Sequence, residues 1–151
     1  MPIHPVRQPK IRRGLESHTF GMVRRNRDGT PRAHQGWDYA AKIGTDCLAI
    51  ASGRVVYVRE DGDLGLRVLL SVGVGNRTLY PLYAHLSSVA VVEGERVQEG
   101  QLIAKTGESG NAVGMPIEDQ HLHFELRTDV NVGRGLDDRI SPIEIYGAVP
   151  W

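Results

Sequence analysis

Two histidines stand one residue apart in the segment HLHFELR, residues 121–127. Successive side chains of a β-strand point to opposite faces, so His121, His123 and Glu125 would share one face, with apolar residues on the other. Imidazoles bind metal ions, take up protons and donate hydrogen bonds. A solvent-facing strand can also carry histidines that have no chemical role, since a single His-x-His pair is a weak signal. The chemistry of this pair therefore depends on other ligand-type residues that converge on it.

A second cluster lies in the segment HQGWDYA, where His34 and Asp38 are four residues apart. On a helix, this spacing would place both side chains on one face. Gly36 and the aromatic residues around it favour a loop that runs into a strand. Either geometry can bring an imidazole and a carboxylate to one metal ion.

A third candidate is His85, in the segment YAHLS. Strand alternation predicts that Tyr83, His85 and Ser87 share one face. Tyr80 and Tyr83 offer hydroxyl groups close to this histidine. We predict that both tyrosines serve strand packing rather than catalysis.

These residues together suit metal-assisted hydrolysis. A catalytic zinc typically takes three protein ligands from His, Asp or Glu and leaves one position for water. His34, Asp38 and one histidine of the 121/123 pair would form a net positive site that lowers the pKa of bound water. His85 and the other histidine of the pair remain to deprotonate the water or to stabilise an oxyanion. The residue types alone leave open which member of the pair binds the metal.

The elements that must position these side chains are short strands. Gly and Pro, 18 and 8 residues respectively, divide the sequence into brief β-branched runs bounded by turn residues, which predicts a mainly β, antiparallel, single domain over residues 1–151. Residues 1–33 are expected to wrap the sheet, with 1–14 as a lead-in, and SPIEIYG is expected to form a short helical turn. The predicted strands lie in residues 53–58, 66–72, 77–86, 88–92, 101–107 and 121–127.

Composition excludes several function classes. Lys plus Arg and Asp plus Glu are both 18, so the net charge is zero and a phosphate-binding nucleic-acid protein is not expected. No apolar run approaches the roughly 20 residues that span a bilayer, so no membrane role is expected. The lone Cys47 excludes an internal disulfide and is expected to be a small buried residue. The basic run of Arg24, Arg25 and Arg27 is expected to be a solvated loop.

The motifs HQGWD, LYAHLS and HLHFELR, in this order, resemble those of the M23 zinc metallopeptidases, the lysostaphin and LytM-like enzymes that cut peptidoglycan peptides. The resemblance covers about residues 15–146 and includes VEGERVQEGQLIAKTGESGNA and DDRISPIEIY. It implies the LytM/lysostaphin fold, a duplicated hybrid motif with a cleft walled by loops. It also implies a zinc cofactor bound by His34, Asp38 and His123, and two catalytic histidines, His85 and His121.

Other polar residues near the motifs receive weaker expectations. Glu125 is expected to be a solvated charge, with an outer-shell acceptor that fixes a ligand tautomer as the alternative. His4 and His18 are expected at the surface, although His18 falls within the resembling segment and lining of the cleft is its alternative. The resemblance does not determine whether His85 or His121 is the base.

One departure from the family is the segment NAVGMPIEDQ, which separates the Ser-Gly loop from the His-x-His strand. This loop, residues 111–120, is expected to border the cleft. Its acidic residues Glu118 and Asp119 are expected to meet a cationic group of the substrate. A diaminopimelate-type cross-link offers such a group, whereas a glycine chain does not.

The sequence therefore predicts a zinc-dependent endopeptidase that cuts the D-alanyl–diaminopimelate bond of peptidoglycan cross-link peptides, as a cell-wall lytic enzyme or delivered toxin. Alternatives are a glycyl-glycine endopeptidase and a non-catalytic M23-like binding or regulatory protein. A lipoyl or biotinyl carrier is disfavoured because Lys105 ends a strand and does not occupy a tight turn. An immunity or inhibitor protein and delivery machinery are the expected protein partners.

The N-terminal segment MPIHPVRQPKIRRG lacks the apolar centre of a secretory signal. The expectation is that the protein is made without a signal peptide, or that a leader has been removed. It would then act in the periplasm or cell wall after delivery by a route other than the general secretory pathway, or after lysis.

Overall fold

A computed structural model describes residues 2–151. Over this range the chain forms short strands, one α-helix and four 3₁₀ turns. The 3₁₀ turns are Arg12–Gly14, Glu16–His18, Gly110–Ala112 and Ile117–Asp119, and the helix α1 is Ile143–Tyr146. The strands are β1 (Gly21–Arg25), β2 (Pro31–His34), β3 (Trp37–Ala40), β4 (Asp46–Leu48), β5 (Gly53–Asp61), β6 (Gly65–Val74), β7 (Arg77–Ala84), β8 (Leu86–Val89), β9 (Arg96–Val97), β10 (Leu102–Thr106), β11 (His121–Arg127) and β12 (Arg139–Ile140).

The strands form three sheets in which every pairing is antiparallel. The largest has the order β12-β11-β7-β6-β5-β9, and β3 adds to it by pairing with β11. A second sheet has the order β4-β10-β8, and β1 pairs with β2 in a third. The mainly β, antiparallel architecture predicted from the sequence is confirmed, as is the short helix α1 in SPIEIYG. No helix among residues 2–151 has the length and apolarity needed to cross a membrane.

The core lies under the apolar face of β11. Leu122, Phe124 and Leu126 are fully buried there, as the alternation predicted. Tyr83 packs edge-on against Phe124, and its hydroxyl group donates to the carbonyl of Leu48 at 2.8 Å, so its packing role is confirmed. Cys47 is also buried, and burial raises the pKa of its thiol to about 12, which leaves it unreactive.

His85 interrupts the strand in which alternation placed it. β7 ends at Ala84 and β8 begins at Leu86, and His85 between them has a positive φ of 59°. This conformation is uncommon for a residue other than glycine. Two backbone bonds hold it, from His85 to the Leu64 carbonyl at 2.9 Å and from Gly107 to the His85 carbonyl at 2.8 Å. The prediction that Tyr83 and His85 share a face is wrong, because the break turns His85 out of the core.

Residues 10 and 11 of the N-terminal segment pack against β3, as expected for a lead-in that wraps the sheet. Ile11 is fully buried, forms a β-bridge with Tyr39 and donates to the Pro150 carbonyl at 2.7 Å. The expectation of a surface position for His4 is wrong. Its ring stacks on Tyr146 with centroids 4.0 Å apart, and its Nδ1 lies 2.9 Å from the Tyr39 hydroxyl group.

Candidate active site

Three strands, β2, β3 and β11, carry the residues with metal-ligand chemistry. His34 ends β2, Asp38 lies in β3, and His123 lies opposite Asp38 in the register of β11. A Cβ atom on Gly36 would lie 2.0 Å from the Phe124 carbonyl oxygen, so only glycine lets the β2–β3 turn pack against β11. The loop-to-strand geometry expected for this segment is confirmed, and the helical alternative is excluded.

The donor atoms of these three residues converge on one point. Asp38 Oδ1 lies 3.1 Å from His34 Nε2 and 3.0 Å from His123 Nδ1. One ligand atom from each residue falls within 4.8 Å of the others, and all three side chains are buried. Two imidazoles and one carboxylate are a donor set typical of zinc sites that keep an open position.

The backbone contact of His34 provides a test of whether a metal fits. His34 Nδ1 lies 2.7 Å from the carbonyl oxygen of Thr19, which can only accept, so Nδ1 carries the proton. Burial lowers the pKa of His34 and so favours the neutral ring, although Asp38 opposes this shift. Its Nε2 lone pair then faces an ionised oxygen of Asp38, and two acceptors in contact need a cation between them. The residues present fit a divalent metal ion.

Glu125 orients the other histidine ligand. Its Oε2 accepts a hydrogen bond from His123 Nε2 at 2.8 Å, which leaves Nδ1 directed at the metal position. Burial opposes the protonation of His123, but hydrogen bonds to Asp38 and Glu125 outweigh it and raise the pKa of this imidazole to about 9. A metal ion would displace that proton. The expectation of a solvated Glu125 is wrong because all seven residues of β11 are buried, and the outer-shell alternative describes its position.

Two arginines keep Glu125 ionised inside the protein. Its Oε1 accepts from Arg127 Nε at 2.9 Å and from Arg139 Nε at 2.8 Å. Burial raises the pKa of Glu125, but His123 and the two guanidinium groups outweigh it and lower the pKa well below the usual range. Sequence reasoning missed both arginines. Strand alternation from Glu125 could have identified Arg127, whereas Arg139 arrives from β12 across a loop and has no local signal.

The second oxygen of Asp38 faces an arginine-rich wall. Oδ2 accepts from Arg24 Nη2 at 2.9 Å, and Arg12 Nη1 and His18 Nδ1 lie 3.5 and 3.3 Å away. Burial raises the pKa of Asp38, yet its contacts with His123, His18 and His34 hold this pKa well below the usual range. Arg24 is therefore not part of a solvated loop, and the surface position expected for His18 is wrong. Arg25 is exposed, as expected.

His85 and His121 stand beside the metal-ligand cluster. Their ring centroids are 5.2 Å apart, and His85 lies 5.9 Å from the ring of His123. His85 Nδ1 contacts the Ser109 carbonyl at 2.9 Å, and His121 Nδ1 contacts the Asp119 carbonyl at 2.8 Å. Carbonyl oxygens only accept, so both rings carry the proton on Nδ1 and leave Nε2 free to accept one.

The two rings are neutral at ordinary pH. Burial lowers the pKa of His85 to about 4, and the nearby rings of His123 and His121 contribute to this shift. Burial also lowers the pKa of His121, against the attraction of Asp38. Both histidines can therefore act as proton acceptors at neutral pH.

All five residues named from the motifs line one cavity of about 460 Å³. Asn111 and Met115 border it, which confirms the position expected for the loop of residues 111–120. A larger hollow of about 880 Å³, lined in part by Ile117 and Glu118, contains none of the five residues. The cavity wall also contains Arg12, Arg24, Arg32, Asp63 and Leu64.

The acidic residues of the loop have partners within the chain. Asp119 accepts from Arg13 at 2.6 and 2.9 Å and lies 3.3 Å from Arg12, and Glu118 lies 3.8 Å from Arg13. Hydrogen bonds from Arg13 lower the pKa of Asp119 to about 2. The expectation that Asp119 awaits a cation of the substrate is wrong, because the N-terminal segment folds over the loop and supplies its counter-charge. Glu118 stays largely exposed, and its contact with a substrate cation remains a prediction.

The sequence of this chain matches a known protein family. Residues 32–135 match the model of Peptidase family M23. The chain belongs to this family. The matched range includes the five motif residues that line the cavity, which are His34, Asp38, His85, His121 and His123. The M23 chain also shares its fold with solved structures of the family. The catalytic domain of the antimicrobial peptidase lysostaphin from Staphylococcus simulans superposes with a TM-score of 0.69 at 25% identity, over 86% of this chain and 90% of that one.

Two similar proteins come from Vibrio cholerae. The M23 chain is 32% identical over 117 residues to the peptidoglycan DD-endopeptidase ShyA. This alignment covers 78% of the M23 chain and 25% of ShyA. A zinc-containing peptidase from the same organism matches with a TM-score of 0.67 at 28% identity, over 82% of this chain and 35% of that one. The M23 chain thus spans about a quarter of the length of this curated relative.

Proposed function

We propose that this M23 chain is a zinc-dependent endopeptidase that hydrolyses peptide cross-links of bacterial peptidoglycan. The observation that carries the proposal is the convergence of His34, Asp38 and His123 next to two neutral imidazoles in one cavity. The similarity to a zinc-containing peptidase supports zinc as the metal. A non-catalytic binding protein would not need all five of these residues, so the enzyme is favoured over that alternative.

His34, Asp38 and His123 would hold the zinc ion, with their outer contacts already setting the required tautomers. Zinc bound there would polarise the scissile carbonyl group and lower the pKa of a water molecule. Either His85 or His121 accepts the proton of the attacking water on its free Nε2. As the C–O bond forms and the C–N bond breaks, the resulting imidazolium passes this proton to the leaving amine. The other imidazole accepts a hydrogen bond from the leaving amine on its own free Nε2.

The bond that we propose is the one between D-alanine and diaminopimelate. The similarity to a protein named as a peptidoglycan DD-endopeptidase supports it. Cross-linked peptidoglycan lies outside the cytoplasm, so we place the site of action in the periplasm or cell wall. A lytic enzyme or a delivered toxin would reach this substrate with the help of delivery machinery, and an immunity or inhibitor protein would protect the producing cell.

A side-by-side digest tests the bond. The zinc-loaded protein is incubated with purified D-alanyl–diaminopimelate dimers and with pentaglycine, and the products are identified by mass spectrometry. We expect monomers from the dimers and no cleavage of pentaglycine, with a chelator-treated sample as the control. Rapid cleavage of pentaglycine beside intact dimers would replace the proposed bond with the glycyl-glycine alternative. Intact substrates in both digests would contradict the proposed activity.

A further inference from the structure

An arginine pair stands at the rim of the active-site cavity. Arg24 on β1 and Arg32 on β2 are register partners, and both line the cavity. Arg32 lies two residues before His34 on the same strand, so the two side chains share a face with Cα atoms about 6.5–7 Å apart. Like charges placed directly opposite each other destabilise a strand pair. Stability of the sheet therefore does not explain why two arginines face each other at these positions.

The two arginines differ in how they are neutralised. Arg24 donates to Asp38 at 2.9 Å. Arg32 is exposed, and among residues 2–151 no carboxylate lies within 4.0 Å of its guanidinium group. Arg32 thus offers an unpaired guanidinium beside the metal position.

The charge balance of the cavity favours an anion. Three guanidinium groups line it, and the carboxylates of its wall belong to Asp38 and Asp63. Asp38 is committed to the metal position and to Arg24, and a divalent cation would add further positive charge. A planar guanidinium binds a carboxylate through two parallel hydrogen bonds. A substrate with a carboxylate close to the scissile bond would complete this arrangement.

Diaminopimelate cross-links carry such a group. The leaving amine of a D-alanyl–diaminopimelate bond sits on a carbon atom that also bears a free carboxylate, only a few covalent bonds from the scissile carbonyl. We propose that Arg32, with Arg24 beside it, binds this carboxylate and makes it a requirement for efficient cleavage. This inference rests on the proposed function, because it names the group of that substrate which the site recognises. A glycine chain has an amide at this position and offers no anion.

The test compares two substrates that differ only at this carboxylate. The zinc-loaded protein is assayed for kcat/KM on D-alanyl–diaminopimelate dimers with the free carboxylate and with the carboxylate amidated. We expect the wild-type protein to prefer the free acid by about 10-fold or more, the scale of a hydrogen-bonded charge pair near the surface. Arg32→Gln should lose about that factor on the free acid and little on the amide. Arg32→Lys should restore part of it.

Arg27→Gln is the matched control, since Arg27 is an exposed arginine of the β1–β2 turn without an ion pair among residues 2–151. Zinc content and thermal unfolding of the Arg32 variants should match the wild type, because no contact of the metal ligands is removed. An equal loss on both substrates, or a wild type without preference for the free acid, overturns the inference and leaves the proposed bond standing. A wild type that cleaves neither dimer overturns the proposed function together with the inference.

Discussion

Glu125 and His123 form a buried hydrogen bond of 2.8 Å that joins the metal-ligand cluster to two arginines. Glu125 is fully buried, and its other oxygen is held by Arg127 and Arg139. The pair answers a question that the sequence raises, namely why a carboxylate follows the two histidines on the same strand face. It fixes the ring of His123 with Nδ1 toward the metal, and the carboxylate accepts hydrogen bonds from both guanidinium groups.

The first prediction concerns this pair. Glu125→Gln should weaken zinc binding by about 10–100-fold, the usual scale for removal of an outer-shell partner. The glutamine oxygen can still accept from His123, but a neutral side chain leaves Arg127 and Arg139 without their counter-charge. Competition titration with a chromophoric chelator measures the affinity. Glu93→Gln, at an exposed position, is the control. Unchanged zinc affinity in Glu125→Gln would show that the buried pair does not tune the site.

The second prediction concerns the turn between β2 and β3. Gly36→Ala places a methyl group against the Phe124 carbonyl oxygen, a contact that backbone on both sides prevents from relaxing. We expect the free energy of unfolding to fall by about 1–3 kcal/mol or more, together with reduced zinc occupancy, because the turn holds His34 against β11. Gly73→Ala is the control, since nothing lies within 4 Å of a Cβ atom there. Denaturant unfolding with equal stability of both variants would contradict the proposed packing constraint.

The third prediction concerns pH and the stability of the metal-free protein. Burial lowers the pKa of His85 from 6.5 to about 4 in the folded state. As the pH falls, the unfolded chain therefore binds a proton on this histidine at a higher pH than the folded chain does. The stability due to the neutral ring is complete above about pH 6.5. This stability, on the order of 3 kcal/mol, is lost as the pH falls toward 4.

His85→Asn isolates this contribution, because asparagine tolerates the positive φ of the position and does not titrate. Urea unfolding of the metal-free wild type should lose stability between pH 7 and pH 5, and His85→Asn should lose less over the same interval. His123 acts in the opposite direction, since its raised pKa of about 9 makes its contribution complete below about pH 6.5 and lost as the pH rises through 9. Parallel pH profiles for the two proteins would refute the role given to His85.

Local patterns in the sequence predict those parts of the structure that depend on local rules. Period-two alternation gives the two faces of β11, and turn residues give the antiparallel strands, because neighbouring residues alone set side-chain direction. The three motifs lead to the five cavity residues because their order and spacing resemble a known family. The turn at Gly36 and the short helix α1 also follow from the preferences of the residues within these segments.

The polar surroundings of the site could not be predicted in the same way. Whether Glu125, Arg24 or His18 meets water depends on which distant element covers it, and alternation does not carry that information. Arg139 reaches Glu125 only because β12 pairs with β11. The break at His85 depends on backbone bonds to Leu64 and Gly107, both far along the chain. These features arise from tertiary contacts.

The most direct test of the account is a comparison of His121→Ala with His123→Ala, two residues on one face of one strand that are given different roles. Each purified variant is assayed for bound zinc by elemental analysis and for cleavage of D-alanyl–diaminopimelate dimers. We predict that His123→Ala loses zinc and activity. His121→Ala should retain zinc and lose activity by about 100-fold or more, the scale of a positioned acid–base group. Full zinc occupancy in His123→Ala, or zinc loss in His121→Ala, would contradict the assignment of the metal ligands.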